Sequence, residues 1–162
     1  MSENKNYDEV VALIPKYQED IGNCTEVVRE KEENYISKKP VKTCLKNIAD
    51  HYCVNLKANR KVYGELLGIK NKVPIALSDK HVFIFFKARK PIFKNDGANG
   101  YVDINYIGEI YEEKGKVYIE LLDGRKIQTN QDISTSRKNL TYGKIVKMER
   151  RWFNNGRITP EQ

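Results

Sequence analysis

The side chains best able to bind a metal in this chain are its cysteines and histidines. Cys44, His51 and Cys53 lie close together in the sequence. Neither a Cys-x-x-Cys pair nor a closely spaced histidine pair occurs, so the spacing does not match a zinc site. We interpret His51 as a partly exposed histidine beside buried cysteines on one helix, and we expect no metal site. The odd number of cysteines, three, favours reduced thiols in a reducing compartment.

Acidic side chains are the next candidates for chemistry, because two carboxyl groups can act as an acid and a base. Asp103, Glu109, Glu112 and Glu113 fall in a predicted strand and a charged turn, where we expect them to be solvated. The sequence contains no glycine-rich phosphate loop, no Gly-x-Ser-x-Gly and no His-Glu-x-x-His. We therefore predict that the chain is not an enzyme, has no catalytic residue and needs no cofactor.

Charge is distributed unevenly along the chain, whose net charge is +7. Residues 1–35 contain 4 Lys and Arg against 9 Asp and Glu, whereas residues 36–162 contain 25 against 13. A basic body with an acidic start favours a polyanionic partner for the body, and nucleic acid is the commonest such partner.

Three basic clusters could contact that partner: one in a loop that ends at the Gly97–Gly100 turn, one on the last helix, and one between two central segments. A flexible loop carrying Arg and Lys can enter a narrow A·T-rich minor groove. Cations along a helix can contact phosphates. The residues predicted to contact DNA are Arg60, Lys61, Lys87, Arg89, Lys90, Lys94, Lys144, Lys147 and Arg151.

The hydrophobic pattern predicts the elements that position these clusters. Residues 9–30 are typical of a strand hairpin, and residues 41–54 carry apolar side chains on one helical face. Residues 82–86 form a continuous apolar run that is typical of a central strand. Arg60 and Lys61 are expected in a basic connection that leads into a further strand.

The second half of the chain is predicted to be rich in strands before a final helix. Residues 101–107 alternate in polarity, as one half-buried strand would. Asp123-Gly124 predicts a hairpin turn. Ser134 and Thr135 can cap a helix that runs roughly from Ser136 to Phe153.

These elements predict an α+β fold with an antiparallel sheet core and two main helices in a single domain. We place this domain at residues 10–153, between a flexible N-terminal segment (1–9) and a flexible C-terminal tail (154–162). No apolar run is long enough to cross a bilayer, and no secretory signal is present. We therefore expect a cytoplasmic protein that has no membrane partner.

Several segments follow one another in an order that is more specific than any one of them. Lys39-Pro40-Val41 precedes the first helix, and Asn59-Arg60-Lys61 follows it. The later segments are Lys72–Leu77, Val82–Phe86, Gly100–Ile107, Leu122–Ile127 and the helix from Ile133 to Met148. Over about residues 10–150, this series resembles the bacterial competence transcription factor family ComK. Lys87-Ala88 and Tyr101 replace a Pro-Thr pair and a Trp that are usual in the family, which fits a divergent member.

The resemblance implies a transcription activator of DNA-uptake genes. Its partner would be double-stranded DNA with paired A/T-rich boxes, recognised largely through the minor groove. Several subunits per site are implied, and hence a homo-oligomer associated with the nucleoid. RNA polymerase or a proteolytic adaptor are the further partners that the resemblance allows.

Three other functions fit the same residues. A LytTR-type regulator, whose rhythm residues 101–140 partly share, would place loops in the major groove. A protein-interaction adaptor would use the basic surface for an acidic partner and would not bind duplex DNA at physiological salt. A single-stranded RNA binder would stack bases on Tyr101, Tyr106 or Tyr118.

Overall fold

The computed structural model describes residues 6–90 and 97–157, except for the side chains of residues 153–157. Within these ranges it contains nine β-strands and three α-helices. The strands are β1 (Val10–Gln18), β2 (Gly22–Arg29), β3 (Tyr35–Ser37), β4 (Ile75–Ser78), β5 (His81–Lys87), β6 (Asn99–Asp103), β7 (Ile107–Glu113), β8 (Lys116–Leu121) and β9 (Lys126–Thr129). The helices are α1 (Val41–His51), α2 (Leu56–Leu67) and α3 (Ile133–Arg157).

The strands form two antiparallel sheets. The larger sheet has the order β3-β2-β1-β6-β5-β4, and the smaller one has the order β7-β8-β9. The predicted hairpin is the pair β1–β2, in which Val10 lies opposite Arg29 and Gln18 opposite Gly22. The predicted class, an α+β domain with an antiparallel sheet core, is confirmed.

Both faces of the larger sheet are covered, which explains why β5 is a continuous apolar run. On one face, Leu13 and Phe83 pack against Ile48 of α1. On the other face, Ile84 packs in a second core with Val146 of α3 and Ile119 of the smaller sheet. The domain therefore has three layers, with the larger sheet in the middle.

The segment around Arg60 is helix α2, so the predicted connection into a strand is wrong and the domain has three helices rather than two. The Asn55 side chain accepts a hydrogen bond from the Ala58 amide at 2.9 Å and caps the start. Gly68 ends the helix in the left-handed conformation, with φ of 70°. The capping signals at both ends are the usual ones. The helix fully buries only Asn59 and Gly64, while Leu56, Tyr63 and Leu67 are partly buried against the cores.

Helix α2 is fixed by a polar contact with the open edge of β4. The buried Asn59 amide donates to the Pro74 carbonyl at 2.9 Å and accepts from the Ala76 amide at 3.1 Å. One side chain thus makes the two hydrogen bonds that a neighbouring strand would otherwise make. The contact satisfies backbone groups of an edge strand and protects that edge from other chains.

The predicted single strand over residues 101–107 is also wrong. β6 ends at Asp103, a 3-10 turn covers Ile104–Tyr106, and β7 of the smaller sheet begins at Ile107. The Asp103 carboxylate accepts from the Asn105 amide at 3.0 Å, which turns the chain, and lies 2.6 Å from Nδ1 of His81. Asp103 is completely buried, so the expectation that it is solvated is wrong for this carboxylate.

Helix α3 begins at Ile133, three residues before the predicted start. Asp132 caps it, because its carboxylate accepts from the Thr135 amide at 3.3 Å and from the Ser134 hydroxyl at 3.1 Å. Gly143 allows close packing, since a Cβ there would lie 2.6 Å from Cγ2 of Ile84. The helix continues past residue 153, the predicted domain boundary. None of the described helices combines the length and apolarity that a membrane span requires.

Candidate nucleic-acid interface

Three of the four cations predicted in the central loop, Lys87, Arg89 and Lys90, lie at one end of the larger sheet, where β5 ends and β6 begins. Lys87 lies opposite Asn99 in this strand pair. The chain continues the pairing for one residue, because the Ala88 amide donates to the Ala98 carbonyl at 2.8 Å. We call this region the sheet end. Each side of it has a groove lined by basic side chains.

The first groove, the lysine groove, lies between the β1–β2 hairpin, the end of β5 and strand β9. It consists of two depressions of about 530 and 490 Å³ that share Gln128 and Asn130. The Lys87 carbonyl accepts from the backbone amide of Asn130 at 2.7 Å, which joins the end of β5 to the end of β9. Its charged lining residues are the cations Lys16, Lys87, Arg89, Lys90, Lys116 and Lys126 and the acids Glu26, Glu112 and Asp132.

The second groove, the edge groove, lies between α2 and the ends of β5 and β6 and has a volume of about 510 Å³. Arg60, Lys70 and Lys72 line it, and none of its described lining residues is acidic. Its apolar wall is the ring pair of Phe85 and Tyr101, with centroids 4.5 Å apart. Burial raises the pKa of Tyr101 to about 12, against the opposing effect of the Arg60 cation.

Arg89 has a structural role at the sheet end. Its guanidinium donates to Oδ1 of Asn23 at 2.5 Å and to the Gly97 carbonyl at 3.0 Å. It also lies over the Tyr17 ring, 3.9 Å from the centroid. These contacts attach the β5–β6 connection to the β1–β2 hairpin, so Arg89 orients this connection rather than projecting from it.

The cations predicted on α3 lie towards the opposite end of the larger sheet. The helix starts beside the lysine groove, and Lys147 is 14 residues further on, roughly 20 Å along the axis at 1.5 Å per residue. The Lys147 ammonium donates to the Asn105 side chain. Lys144 and Arg151 are exposed, as is Lys61 on α2, and none of the three lines either groove.

The structure therefore brings together only part of the predicted contact set. Arg60, Lys87, Arg89 and Lys90 meet at the sheet end, while Lys94 lies outside the described residues. Sequence reasoning missed the cations that reach the grooves from other elements: Lys16, Lys70, Lys72, Lys116 and Lys126. Lys116 and Lys126 are the first residues of two strands. A lysine directly before an apolar strand was the one sequence feature that could have indicated a cation at a sheet end.

The cysteines and the histidine that could have bound a metal differ in their burial. Cys44 is buried, whereas Cys53 is exposed and lies beyond the end of α1, so the expectation of buried cysteines is wrong for Cys53. His51 is exposed and packs edge-on against Tyr52, with centroids 4.9 Å apart. Over residues 6–90 and 97–157, no group of three or more His, Cys, Asp or Glu could hold a metal ion.

Comparison with known proteins gives one match. The family model described as ComK protein matches residues 7–137, a range that includes every described cation of both grooves and ends before Lys144. No curated protein and no solved structure matches the chain. The match covers far more than half of the chain, and it agrees with the segment order seen in the sequence. The chain therefore belongs to the ComK family, a family of competence transcription factors.

Proposed function

We propose that this chain binds A/T-rich double-stranded DNA through the sheet end and so activates the transcription of DNA-uptake genes. The observation that carries the proposal is the pair of grooves, which place eight described Lys and Arg side chains other than Arg89 around one end of the larger sheet. Cations from several elements converging on one region form the electrostatic footprint of a nucleic-acid site.

The arrangement favours minor-groove binding. The described helices that reach the sheet end do not present a recognition helix of the zinc-finger, homeodomain or basic-zipper kind. The described start of the β5–β6 connection instead lines the lysine groove through Arg89 and Lys90, and Lys94 is the further contact that the sequence predicts in this connection. In the proposed complex, the β5–β6 connection enters the minor groove. The side-chain amides of Asn99, Gln128 and Asn130 donate to the N3 and O2 acceptors of A·T pairs.

The remaining predicted contacts have a different role in this proposal. Lys61, Lys144, Lys147 and Arg151 contribute only long-range attraction to the DNA and make no direct phosphate contact, because they lie outside both grooves. Recognition of paired boxes requires at least two copies of the chain, which is the reason to propose a homo-oligomer on DNA, in the nucleoid. RNA polymerase is the further partner that activation would require.

A binding titration at about 0.15 M salt, with A·T-rich and G·C-rich duplexes and a minor-groove ligand as competitor, tests the proposal. The expected result is a strong A·T preference that the competitor abolishes. Binding that the competitor leaves unchanged would favour a LytTR-like major-groove mode. Preference for single strands, or no binding to duplex, would refute the proposal in favour of an RNA or protein partner.

A further inference from the structure

A separate cavity of about 330 Å³ lies between α1 and strands β1, β2 and β3. Its deep part is apolar, because Val10, Leu13, Val27 and Ile48 line it and all four are at most 3% exposed. The cavity size is at the lower end of the range of small-molecule sites. The cavity therefore offers an apolar interior large enough for a small molecule.

The mouth of the cavity is polar and positively charged. Lys38 and Lys39 line it and are exposed, and the half-buried Ser37 and Asn47 stand beside them. Among the described residues that line the cavity, none is acidic. An apolar interior whose lining also includes two exposed lysines is complementary to a molecule with an apolar body and one anionic head.

The walls of the cavity are held in place by packing and hydrogen bonds. The Thr25 hydroxyl donates to the Lys39 carbonyl at 2.8 Å and fixes the chain between β3 and α1. The Cys44 thiol, which also lines the cavity, contacts the Ser37 hydroxyl at 3.5 Å. A site whose backbone is fixed before binding loses less conformational entropy when it accepts a ligand.

We propose that this cavity binds a small amphipathic carboxylate, with its alkyl body in the apolar interior and its carboxylate between Lys38 and Lys39. The carboxylate head satisfies the two cations and can also accept hydrogen bonds from Ser37 and Asn47. The inference goes beyond DNA binding and does not depend on it, since the cavity shares no lining residue with the two grooves.

Calorimetric titration of the full chain with octanoate, in the absence of DNA, tests the inference. Octylammonium is the matched probe of opposite charge, and acetate is the probe without an apolar body. Octanoate is expected to bind, and neither of the other probes is. In ¹⁵N NMR spectra, octanoate is expected to shift amides that line the cavity, such as those of Val27 and Cys44, and to leave Gln128 unchanged.

A pair of variants tests the role of the two lysines. Lys38→Gln/Lys39→Gln is expected to weaken octanoate binding roughly tenfold, as loss of a charge-assisted contact would. Lys42→Gln/Lys46→Gln removes two exposed cations from α1 that do not line the cavity, and it is expected to bind octanoate like the unchanged chain. The inference is overturned if octanoate does not bind, if octylammonium binds equally well, or if the two variants behave alike.

Discussion

Removal of three cations at the sheet end is the perturbation that distinguishes a local DNA site from general basicity. The variant Arg60→Gln/Lys87→Gln/Lys90→Gln takes one cation from the edge groove and two from the lysine groove. Glutamine preserves much of each side chain and its polarity, so the fold is expected to persist. Circular dichroism checks that it does.

The magnitude follows from counterion release. The slope of log K against log salt is negative, and each lost phosphate contact reduces its magnitude by about 0.9. Three lost contacts therefore reduce the magnitude by about 2.7. Extrapolated from 1 M to about 0.15 M salt, this change corresponds to about 170-fold weaker binding, or about 3 kcal/mol. Fluorescence anisotropy of an A·T-rich duplex at a series of salt concentrations measures both quantities.

The control is a variant with the same loss of charge elsewhere, Lys61→Gln/Lys144→Gln/Arg151→Gln. These three side chains are exposed and line neither groove, so their loss is expected to change the slope by less than about 1. Two outcomes would overturn a local DNA site at the sheet end. The sheet-end variant would keep the original salt slope, or the control variant would lose as much affinity as the sheet-end variant does.

Three further predictions follow from individual contacts. Arg89→Lys keeps the charge but cannot make both hydrogen bonds to Asn23 and Gly97, so the salt slope is expected to persist while the ratio of A·T to G·C affinity falls; an unchanged ratio contradicts this. Gly143→Ala places a Cβ 2.6 Å from Ile84 and is expected to lower the free energy of unfolding in urea by about 1–2 kcal/mol, whereas Gly97→Ala, in open space, should change it little. Hydrogen bonds from Thr135 and Ser134 hold the pKa of Asp132 below its ordinary 3.8, so its stabilising effect is present above that value and is lost as the pH falls through the lowered pKa. Melting temperatures against pH should show this acid-side loss in the unchanged chain and not in Asp132→Asn, and equal pH dependence contradicts the assignment.

The parts of the fold that could be predicted from the sequence are those with a strong local signal. The β1–β2 hairpin, α1 and the apolar strand β5 each show a clear apolar pattern within the element itself. Helix α2 has no fully buried apolar side chain, and it is fixed by the Asn59 side chain, which donates to the Pro74 carbonyl just before β4, 15 residues away in the sequence. A polar contact between distant segments leaves no periodicity to detect.

The cations of the candidate site also fall into those that the sequence predicts and those that only tertiary contacts bring there. The loop cations Lys87 and Lys90 could be predicted together because they are neighbours in the sequence. The addition of Lys126 depends on the hydrogen bond that joins the end of β9 to the end of β5, and the addition of Lys16 depends on the pairing of β1 with β6; both are tertiary contacts. Separation of the α3 cations from the sheet end likewise depends on the direction in which that helix crosses β5.

Affinity cleavage tests the central claim, that the sheet end enters the minor groove of A/T-rich DNA, most directly. An iron chelate is attached to Lys90→Cys in a Cys53→Ser background, because Cys53 is the exposed cysteine while Cys24 and Cys44 are buried. If Lys90 lies in the minor groove, the strands are cleaved within the A/T-rich box, with the offset between strands that is typical of a minor-groove source, and the same chelate on Lys144→Cys gives little cleavage. Cleavage that is centred on the box only from position 144, or that has a major-groove offset, would contradict the account.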